Sequence, residues 1–215
     1  MTEPPAAPPL APDPQPEADA PRSGRSRALD SVIEIATTVA LAVILYFVIQ
    51  TFVVQTFRVE MVSMLDTLEP GDHMLIDKLT PRFDDYSRGD IVVFHPPADY
   101  DEGTPYIKRV IGEPGDTIAI KDGAVYVNGV RLDEPYVHYP IEADAWDQIT
   151  VPAGELIVMG DHRDASSDSR AFGPIPISDV IGRAVLRFWP LDKLGIVQTP
   201  SYPGVPDSPE ASPAP

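Results

Sequence analysis

Two patterns of apolar and polar positions divide the chain. From Ile35 to Val54, twenty residues follow one another without a charge, and only four of them are polar. After Arg58 the pattern changes to short apolar runs, rich in Val, Ile, Tyr and Phe, which alternate with Gly-Asp, Pro-Gly-Asp, Asp-Gly and Asn-Gly pairs. The first pattern is typical of a membrane-spanning helix, and the second is typical of an all-β domain.

The apolar run is long enough to cross a bilayer. At about 1.5 Å rise per residue, it spans roughly 30 Å, the thickness of the hydrocarbon layer. Arg22, Arg25 and Arg27 precede it, so the positive-inside rule predicts a cytoplasmic N-terminus and an extracytoplasmic main domain. A cleaved secretory signal would have a shorter apolar region followed by small residues, and a buried soluble helix would show a polar stripe. We therefore predict one uncleaved transmembrane helix over residues 31–57.

The short apolar runs predict an all-β domain over residues 58–198. The Asp122-Gly123 and Asn128-Gly129 pairs favour tight hairpin turns, so residues 116–150 are predicted to form a small, hairpin-rich insertion. The predicted strands are His73–Asp77, Asp90–Phe94, Tyr106–Gly112, Asp116–Gly123, Ala124–Gly129, Glu155–Gly160 and Ile181–Trp189.

Composition separates the two ends from the middle. Of 26 prolines, eight fall in residues 1–22 and six in residues 199–215. Polar, proline-rich segments bury too little apolar surface to offset the entropy of ordering, so residues 1–30 and 199–215 are predicted to be disordered tails. The chain has no cysteine, which excludes disulfides, thiolate metal sites and cysteine nucleophiles. The net charge of −17 argues against nucleic acid as a partner, since phosphates require a basic face.

Two residues in the middle of the chain suggest nucleophilic catalysis. Ser63 follows the membrane segment, and Lys108 interrupts the apolar run Tyr106–Gly112. Burial can lower the pKa of a lysine by up to roughly 3–5 units, and a neutral lysine beside a serine can act as its general base. The alternative is that Lys108 and Arg109 form a solvated basic edge while Ser63 caps a turn.

A third segment, Gly160–Ile175, is rich in acidic residues, serine and arginine and ends in a Gly-Pro pair. Such a loop could be a hydrogen-bonded support for a site, or an ordinary acidic loop. The spacing of these residues does not separate the two interpretations.

Together these blocks resemble bacterial type I signal peptidase, also called leader peptidase. The block Phe57–Leu68 matches the part of that family that holds the serine nucleophile, at Ser63, and Tyr106–Asp116 matches the part with the lysine base, at Lys108. The segments Gly71–Leu79 and Arg88–Phe94 match the intervening blocks. In the last block, the family's serine and Asp-x-Arg positions fall on Ser166, Asp168 and Arg170.

The resemblance implies an all-β signal-peptidase fold and a membrane-bound serine endopeptidase. Ser63 would attack the peptide bond, Lys108 would act as the base, and the backbone N–H of Ser63 would contribute to the oxyanion hole. Ser166 would orient the lysine amine, while Asp168 and Arg170 would pair and fix the loop. Signal peptides with small residues at −1 and −3 would be the substrates, and the lipid bilayer would be a further partner. The protein-export translocon is also a candidate partner, and no metal, nucleotide or other cofactor is implied.

The sequence departs from the family pattern beside Ser63. The family usually has Pro-Ser-x before its Ser-Met, whereas this chain has Glu60-Met61-Val62, and Asp66 replaces a usual proline. Met61 lacks the hydroxyl that serves the oxyanion hole in better-known members, and losing one such donor can cost about 10²–10³ in rate. The alternatives are a dedicated Ser/Lys processing peptidase for one substrate, or a catalytically degenerate, membrane-tethered module that binds peptides. A self-cleaving repressor is disfavoured because a DNA-binding module is missing.

Overall fold

The computed structural model describes residues 24–79, 81, 85–100, 103–141 and 148–206. Helix α1 spans Gly24–Phe52, and its segment Ala28–Phe52 is long and apolar enough to cross a membrane. The chain divides into two compact units at Leu45, with the first part of the helix in one unit and all strands in the other. The fold is therefore one apolar helix followed by a β domain.

The helix differs from its predicted bounds at both ends. It ends at Phe52, because Val54–Arg58 forms strand β1 and pairs antiparallel with strand β2, His73–Asp77. The apolar run continues through this junction, so local sequence carries no stop signal and the pairing partner decides the conformation. At the other end, residues 24–30 were predicted to belong to a disordered tail but are helical. The rest of that predicted tail, residues 1–23, lies outside the described residues.

The main sheet contains eight antiparallel strands. Besides β1 and β2, they are β3 Ile91–Phe94, β4 Tyr106–Gly112, β9 Glu155–Met159, β10 Ile175–Pro176, β11 Val180–Trp189 and β12 Gly195–Ile196. Their order in the sheet is β1-β2-β11-β3-β4-β9-β10, with β12 paired to β11. Strand β4 lies near the centre of the sheet, between β3 and β9, and all seven of its residues are buried.

The chain between β4 and β9 forms a second sheet. Its four strands are β5 Thr117–Lys121, β6 Ala124–Val127, β7 Val130–Arg131 and β8 Ile149–Thr150. Their order in the sheet is β7-β6-β5-β8. The turn between β5 and β6 places Asp122 and Gly123 at φ 51° and 72°, the left-handed pair that a tight hairpin requires. We call the segment from β5 to β8 the insertion.

Three clusters of buried apolar side chains hold the domain together. One joins β2, β3 and β11 to the loop after β1, the second lies under the insertion, and the third lies between β3, β4, β9 and β10. The predicted fold class, an all-β domain with one N-terminal apolar helix, is confirmed. A short helix α2, Ser169–Phe172, follows β9 and completes the loop near the site.

The second predicted tail is also different in the structure. Tyr202 and Val205 pack against the apolar cluster under the insertion, and Thr199 Oγ1 donates a hydrogen bond of 3.0 Å to Asp90 Oδ1. Residues 199–206 therefore lie against the β domain, because an aromatic ring and an aliphatic side chain provide apolar surface that the prolines alone lack. The remaining tail positions, residues 207–215, lie outside the described residues.

Candidate active site

The loop after β1 holds Ser63 in a fixed position. Its backbone closes on itself through the hydrogen bonds from Val59 N to Asp72 O and from Gly71 N to Val59 O, at 2.9 and 2.8 Å. The side chains of Val59 and Met64 are fully buried in the cluster around β2 and β3. Ser63 lies between these anchors and is itself only 2% exposed. An apolar residue on either side thus fixes the backbone that carries the hydroxyl group.

Lys108 reaches Ser63 from the centre of the main sheet. On β4 it faces Val92 of β3, and its side chain is 1% exposed. Its Nζ lies 2.7 Å from Ser63 Oγ and donates a second hydrogen bond of 3.1 Å to the carbonyl oxygen of Ile107. Sheet register, rather than a flexible loop, therefore determines where the amine is held.

Burial lowers the pKa of Lys108 to about 8. The negative charges of Asp168 and Asp161 act in the opposite direction, and the positive charge of Arg170 acts with burial. With a pKa near 8, about a tenth of the lysine is neutral at pH 7, compared with about one in a few thousand for an unperturbed lysine. A neutral amine has a lone pair that can accept a proton from the serine hydroxyl.

The loop after β9 brings the other predicted residues to this place. The side chain of Arg170 donates two hydrogen bonds to Asp168, from Nε at 2.8 Å and from Nη2 at 2.7 Å, and the backbone N–H groups of Arg170 and Gly160 donate two more, at 3.2 and 3.0 Å. Burial by itself raises the pKa of Asp168, but the hydrogen bonds and charge of Arg170 hold it below its usual value. Asp168 is thus an ionised carboxylate that closes the loop from Gly160 to Arg170.

Ser166 lies in the same loop, next to Gly160. A Cβ atom on Gly160 would overlap both Ser166 Oγ and the carbonyl oxygen of Ser63, so glycine allows the loop to approach the serine. Ser166 Oγ is buried near the carboxylate of Asp168, and its interaction with that group helps to hold the pKa of Asp168 below its usual value. The resemblance implied a hydrogen bond from Ser166 to Lys108, whereas the amine contacts Ser63 and Ile107.

A buried ion pair beside the serine and lysine escaped the sequence reasoning. Arg109 donates two hydrogen bonds to Asp161, from Nε at 2.9 Å and from Nη2 at 2.6 Å, and Thr67 Oγ1 donates to the same carboxylate at 2.6 Å. Arg109 and Asp161 are 2% and 0% exposed, so Arg109 is not part of a solvated edge. The signal that could have found the pair is an arginine inside an otherwise apolar run, because such a cation needs a buried carboxylate.

An open cleft of about 310 Å³ leads to the serine and lysine. Met61, which replaces the family's usual serine, lines this cleft and is 47% exposed. The cleft is lined by Thr56, Phe57, Arg58, Glu60, Met61, Ser63, Thr104, Pro105, Tyr106, Ile107 and Lys108. In the part of the chain that the structure describes, no three His, Asp or Glu residues lie together as a metal site would require.

A buried serine within hydrogen-bonding distance of a buried lysine, at the end of an open cleft, is typical of serine hydrolases that use a lysine as the base. The family model described as "Signal peptidase, peptidase S26" matches residues 32–189. The chain belongs to this family, and the resemblance seen in the sequence is confirmed. It is accordingly a serine peptidase by family.

Individual relatives agree with the family. The chain is 38% identical over 197 residues to "Signal peptidase I" of Leptolyngbya laminosa, which covers 89% of this chain and 97% of that relative. It is 32% identical over 179 residues to "Signal peptidase IB" of Staphylococcus aureus strain COL, covering 75% and 92% of the two chains. The crystal structure of a signal peptidase I from Enterococcus faecalis V583 is 32% identical, with a TM-score of 0.40, and covers 46% of this chain and 97% of that chain.

Proposed function

We propose that this protein is a membrane-bound endopeptidase that removes signal peptides from exported preproteins with a serine–lysine dyad. The observation that carries the proposal is the 2.7 Å contact between Lys108 Nζ and Ser63 Oγ in a site where both side chains are buried. The lowered pKa of Lys108, about 8, supports the role of general base. The names of the relatives support the signal peptide as substrate.

In the acylation step, the neutral amine of Lys108 takes the proton of Ser63 as Oγ bonds to the carbonyl carbon of the scissile peptide. The tetrahedral intermediate collapses, the C–N bond breaks, and the lysine ammonium gives its proton to the leaving amine. In deacylation, Lys108 takes a proton from water as the water oxygen bonds to the acyl carbon, the bond between that carbon and Ser63 Oγ breaks to release the acid, and the lysine ammonium returns the proton to Oγ. The backbone N–H of Ser63 is the proposed donor to the oxyanion.

The other predicted residues support this pair in the proposal. Asp168 and Arg170 fix the loop that carries Ser166, and that loop packs against the backbone of Ser63 at Gly160. Ser166 is the residue that would orient the amine of Lys108 once substrate displaces the present contact with Ser63. We assign the cleft beside the dyad to the substrate side chains at −1 and −3, and the preference for small residues there would come from the exclusion of larger ones.

The membrane placement is part of the proposal. Helix α1 would be the single anchor, with the N-terminus in the cytoplasm and the β domain on the opposite side, as the arginines before the apolar run favour. Trp189, which is 51% exposed, and apolar residues around β1 would touch the lipid interface. Delivery of preproteins by the export translocon would bring the substrate to the same surface.

The test is cleavage of a model preprotein with Ala at −1 and −3 by the full-length chain in detergent or liposomes. Ser63→Ala and Lys108→Met are expected to lose cleavage while remaining folded, since methionine nearly preserves the volume of lysine. The matched controls Ser178→Ala and Lys121→Ala, both at exposed positions, are expected to cleave like wild type. Cleavage that survives in Ser63→Ala would contradict the mechanism. A folded wild type that neither cleaves nor reacts with a serine-directed probe would indicate the peptide-binding alternative.

A further inference from the structure

The segment Thr199–Pro206, which we call the strap, lies against the β domain. Its entry is fixed by the hydrogen bond from Thr199 to the buried carboxylate of Asp90. Pro200 and Tyr202 lie so close to Gly89 that a Cβ atom there would be 3.0 Å from Pro200 Cδ and 3.2 Å from the Tyr202 ring. The strap is therefore packed tightly against the loop before β3, and Tyr202 is its one aromatic residue.

The hydroxyl group of Tyr202 lies 2.8 Å from that of Tyr136, in the loop after β7. Tyr136 donates its only hydroxyl proton to Glu134 Oε1, also at 2.8 Å. The proton between the two tyrosines must therefore come from Tyr202. Burial raises the pKa of both hydroxyl groups, and the carboxylate of Glu134 also raises that of Tyr136, so both remain protonated donors.

Glu134 connects Tyr136 to the loop Gly160–Arg170. Its Oε2 accepts a hydrogen bond of 2.9 Å from Arg163 Nη1, and Arg163 is 2% exposed. Arg163 Nε in turn donates to the carbonyl oxygen of Gly160 at 2.9 Å, and the Arg163 carbonyl accepts from Arg170 Nη2 at 2.6 Å. The polar chain that begins at Tyr202 thus ends on both sides of Ser166.

A second set of contacts starts from Tyr136. The guanidinium carbon of Arg109 lies 4.0 Å from the centre of the Tyr136 ring, a distance at which the ring face attracts a cation. Arg109 holds Asp161 through its two hydrogen bonds. The position of the Tyr136 ring therefore bears on two buried arginines, one on β4 next to Lys108 and one in the loop after β9.

We infer that Tyr202 is a positioning residue for the proposed peptidase, acting through Tyr136 to hold the loop Gly160–Arg170 against Ser63 and Lys108. The inference rests on the proposed function for its effect on turnover. Removing the Tyr202 hydroxyl takes away the hydrogen bond that Tyr136 accepts and leaves the Tyr136 hydroxyl with only the bond that it donates to Glu134. The expected response is that the Glu134–Arg163 contact loosens and water enters beside the loop.

Water entering beside the loop would change the pKa of Lys108. The charged groups that act on its amine are Asp168 and Asp161, which raise its pKa, and Arg170, which lowers it, but burial is the largest influence. Partial hydration therefore moves the pKa of Lys108 upward, toward its ordinary value. Such a shift separates a positioning role from a merely structural one, because a smaller folded fraction reduces the number of active molecules without changing their pH dependence.

The experiment compares wild type, Tyr202→Phe, Tyr136→Phe and the double variant, as full-length chains in detergent. Tyr202→Phe keeps the ring and removes the hydroxyl, and we expect kcat to fall about tenfold with KM within about twofold. We also expect the acidic limb of the pH profile to move to higher pH. In the double variant, Tyr202→Phe should add little to Tyr136→Phe, since both remove the same link. Tyr126→Phe, on the insertion sheet, is the matched control and should change neither quantity.

Two results would overturn the inference. One is an unchanged kcat and pH limb in Tyr202→Phe, and the other is a loss of active fraction with an unchanged limb and full additivity with Tyr136→Phe. If wild type does not cleave the preprotein, the proposed function fails instead. The inference is then decided by the pKa of Lys108, measured by competitive acetylation and mass spectrometry in wild type and Tyr202→Phe. An upward shift in the variant supports it, and equal values exclude it.

Discussion

In the insertion, the residues of β6 alternate strictly between half-buried and buried positions, whereas all seven residues of β4 are buried. The buried positions of β6 are Val125 and Val127, which need no polar partner. Those of β4 include Lys108 and Arg109, each of which is held by side chains from other parts of the chain. The two strands belong to different sheets, and of the two only β4 has charged side chains buried inside the protein. The proposed site therefore lies where charged residues interrupt a buried apolar strand, and burying such residues costs stability.

Replacing Lys108 with Met would make β4 more like β6, because it replaces a buried amine with an apolar side chain, and it has the largest expected effect. Activity is expected to fall at least about 10³-fold because the proposed base is lost. The free energy of unfolding is expected to rise by about 1–3 kcal/mol at pH 7, since an apolar side chain replaces a buried amine whose pKa is lowered to about 8. Chemical denaturation beside a preprotein cleavage assay measures both effects.

The sign of the stability change follows from the lowered pKa. The lysine destabilises the fold fully below pH 8, where it must be charged inside the protein, and less as the pH rises toward its unfolded value. The gain from Lys108→Met should therefore shrink between about pH 8 and 10. A variant that is less stable than wild type at pH 7 would contradict the view that this lysine is retained for chemistry.

Asp161→Asn tests the neighbouring charge on β4. It leaves the guanidinium of Arg109 buried beside a neutral amide, so the free energy of unfolding is expected to fall by about 3–5 kcal/mol. Urea titration with Asp192→Asn as the exposed control measures this, and the control should stay within about 0.5 kcal/mol. Equal effects of the two substitutions would show that the pair with Arg109 contributes little.

Ile118→Ala tests the apolar side of the comparison. Ile118 is fully buried under the insertion, so the free energy of unfolding is expected to fall by about 2–5 kcal/mol. Because no charge is disturbed, the acidic limb of the pH profile should stay where it is in wild type. Ile196→Ala, at a 73% exposed position, is the control for stability. A shifted limb in Ile118→Ala would show that the insertion core is coupled to the site after all.

The smallest effect is the pH dependence of wild type. With the pKa of Lys108 at about 8, kcat/KM is expected to fall about tenfold for each pH unit below that value. Preprotein cleavage between pH 5.5 and 9, with Lys121→Ala as the control, measures the limb. A flat profile between pH 6 and 8 would exclude Lys108 as the group that must be neutral.

Local pattern predicted the strands well but not the ends of the elements. The runs around β2, β3 and β4 were found because apolar residues and turn pairs alternate within a few positions. The strand Val54–Arg58 was missed because its apolar residues continue those of the helix and only its pairing with β2 makes it a strand. The strap was missed because one tyrosine in a proline-rich segment gives no periodic signal.

The sequence predicts only part of the candidate site, for a related reason. Ser63 and Lys108 could be chosen because each interrupts a recognisable block, and the structure brings them together. The pair of Arg109 with Asp161 depends on the register in which Arg109 faces Met159, two residues before Asp161. That register links positions far apart in the chain, and no local pattern encodes it.

Gly160 has a consequence for how this sequence can vary. The space between the serine backbone and the loop after β9 is smaller than a single methyl group, since a Cβ at Gly160 would overlap Ser63 O and Ser166 Oγ. Variation at neighbouring exposed positions would alter affinity or stability by degrees, but at this position even the smallest side chain would separate the two halves of the site. Only glycine therefore allows the loop after β9 to contact the backbone of Ser63. Gly160→Ala would give a folded protein in which this loop and Ser63 are separated, for use as a reference state.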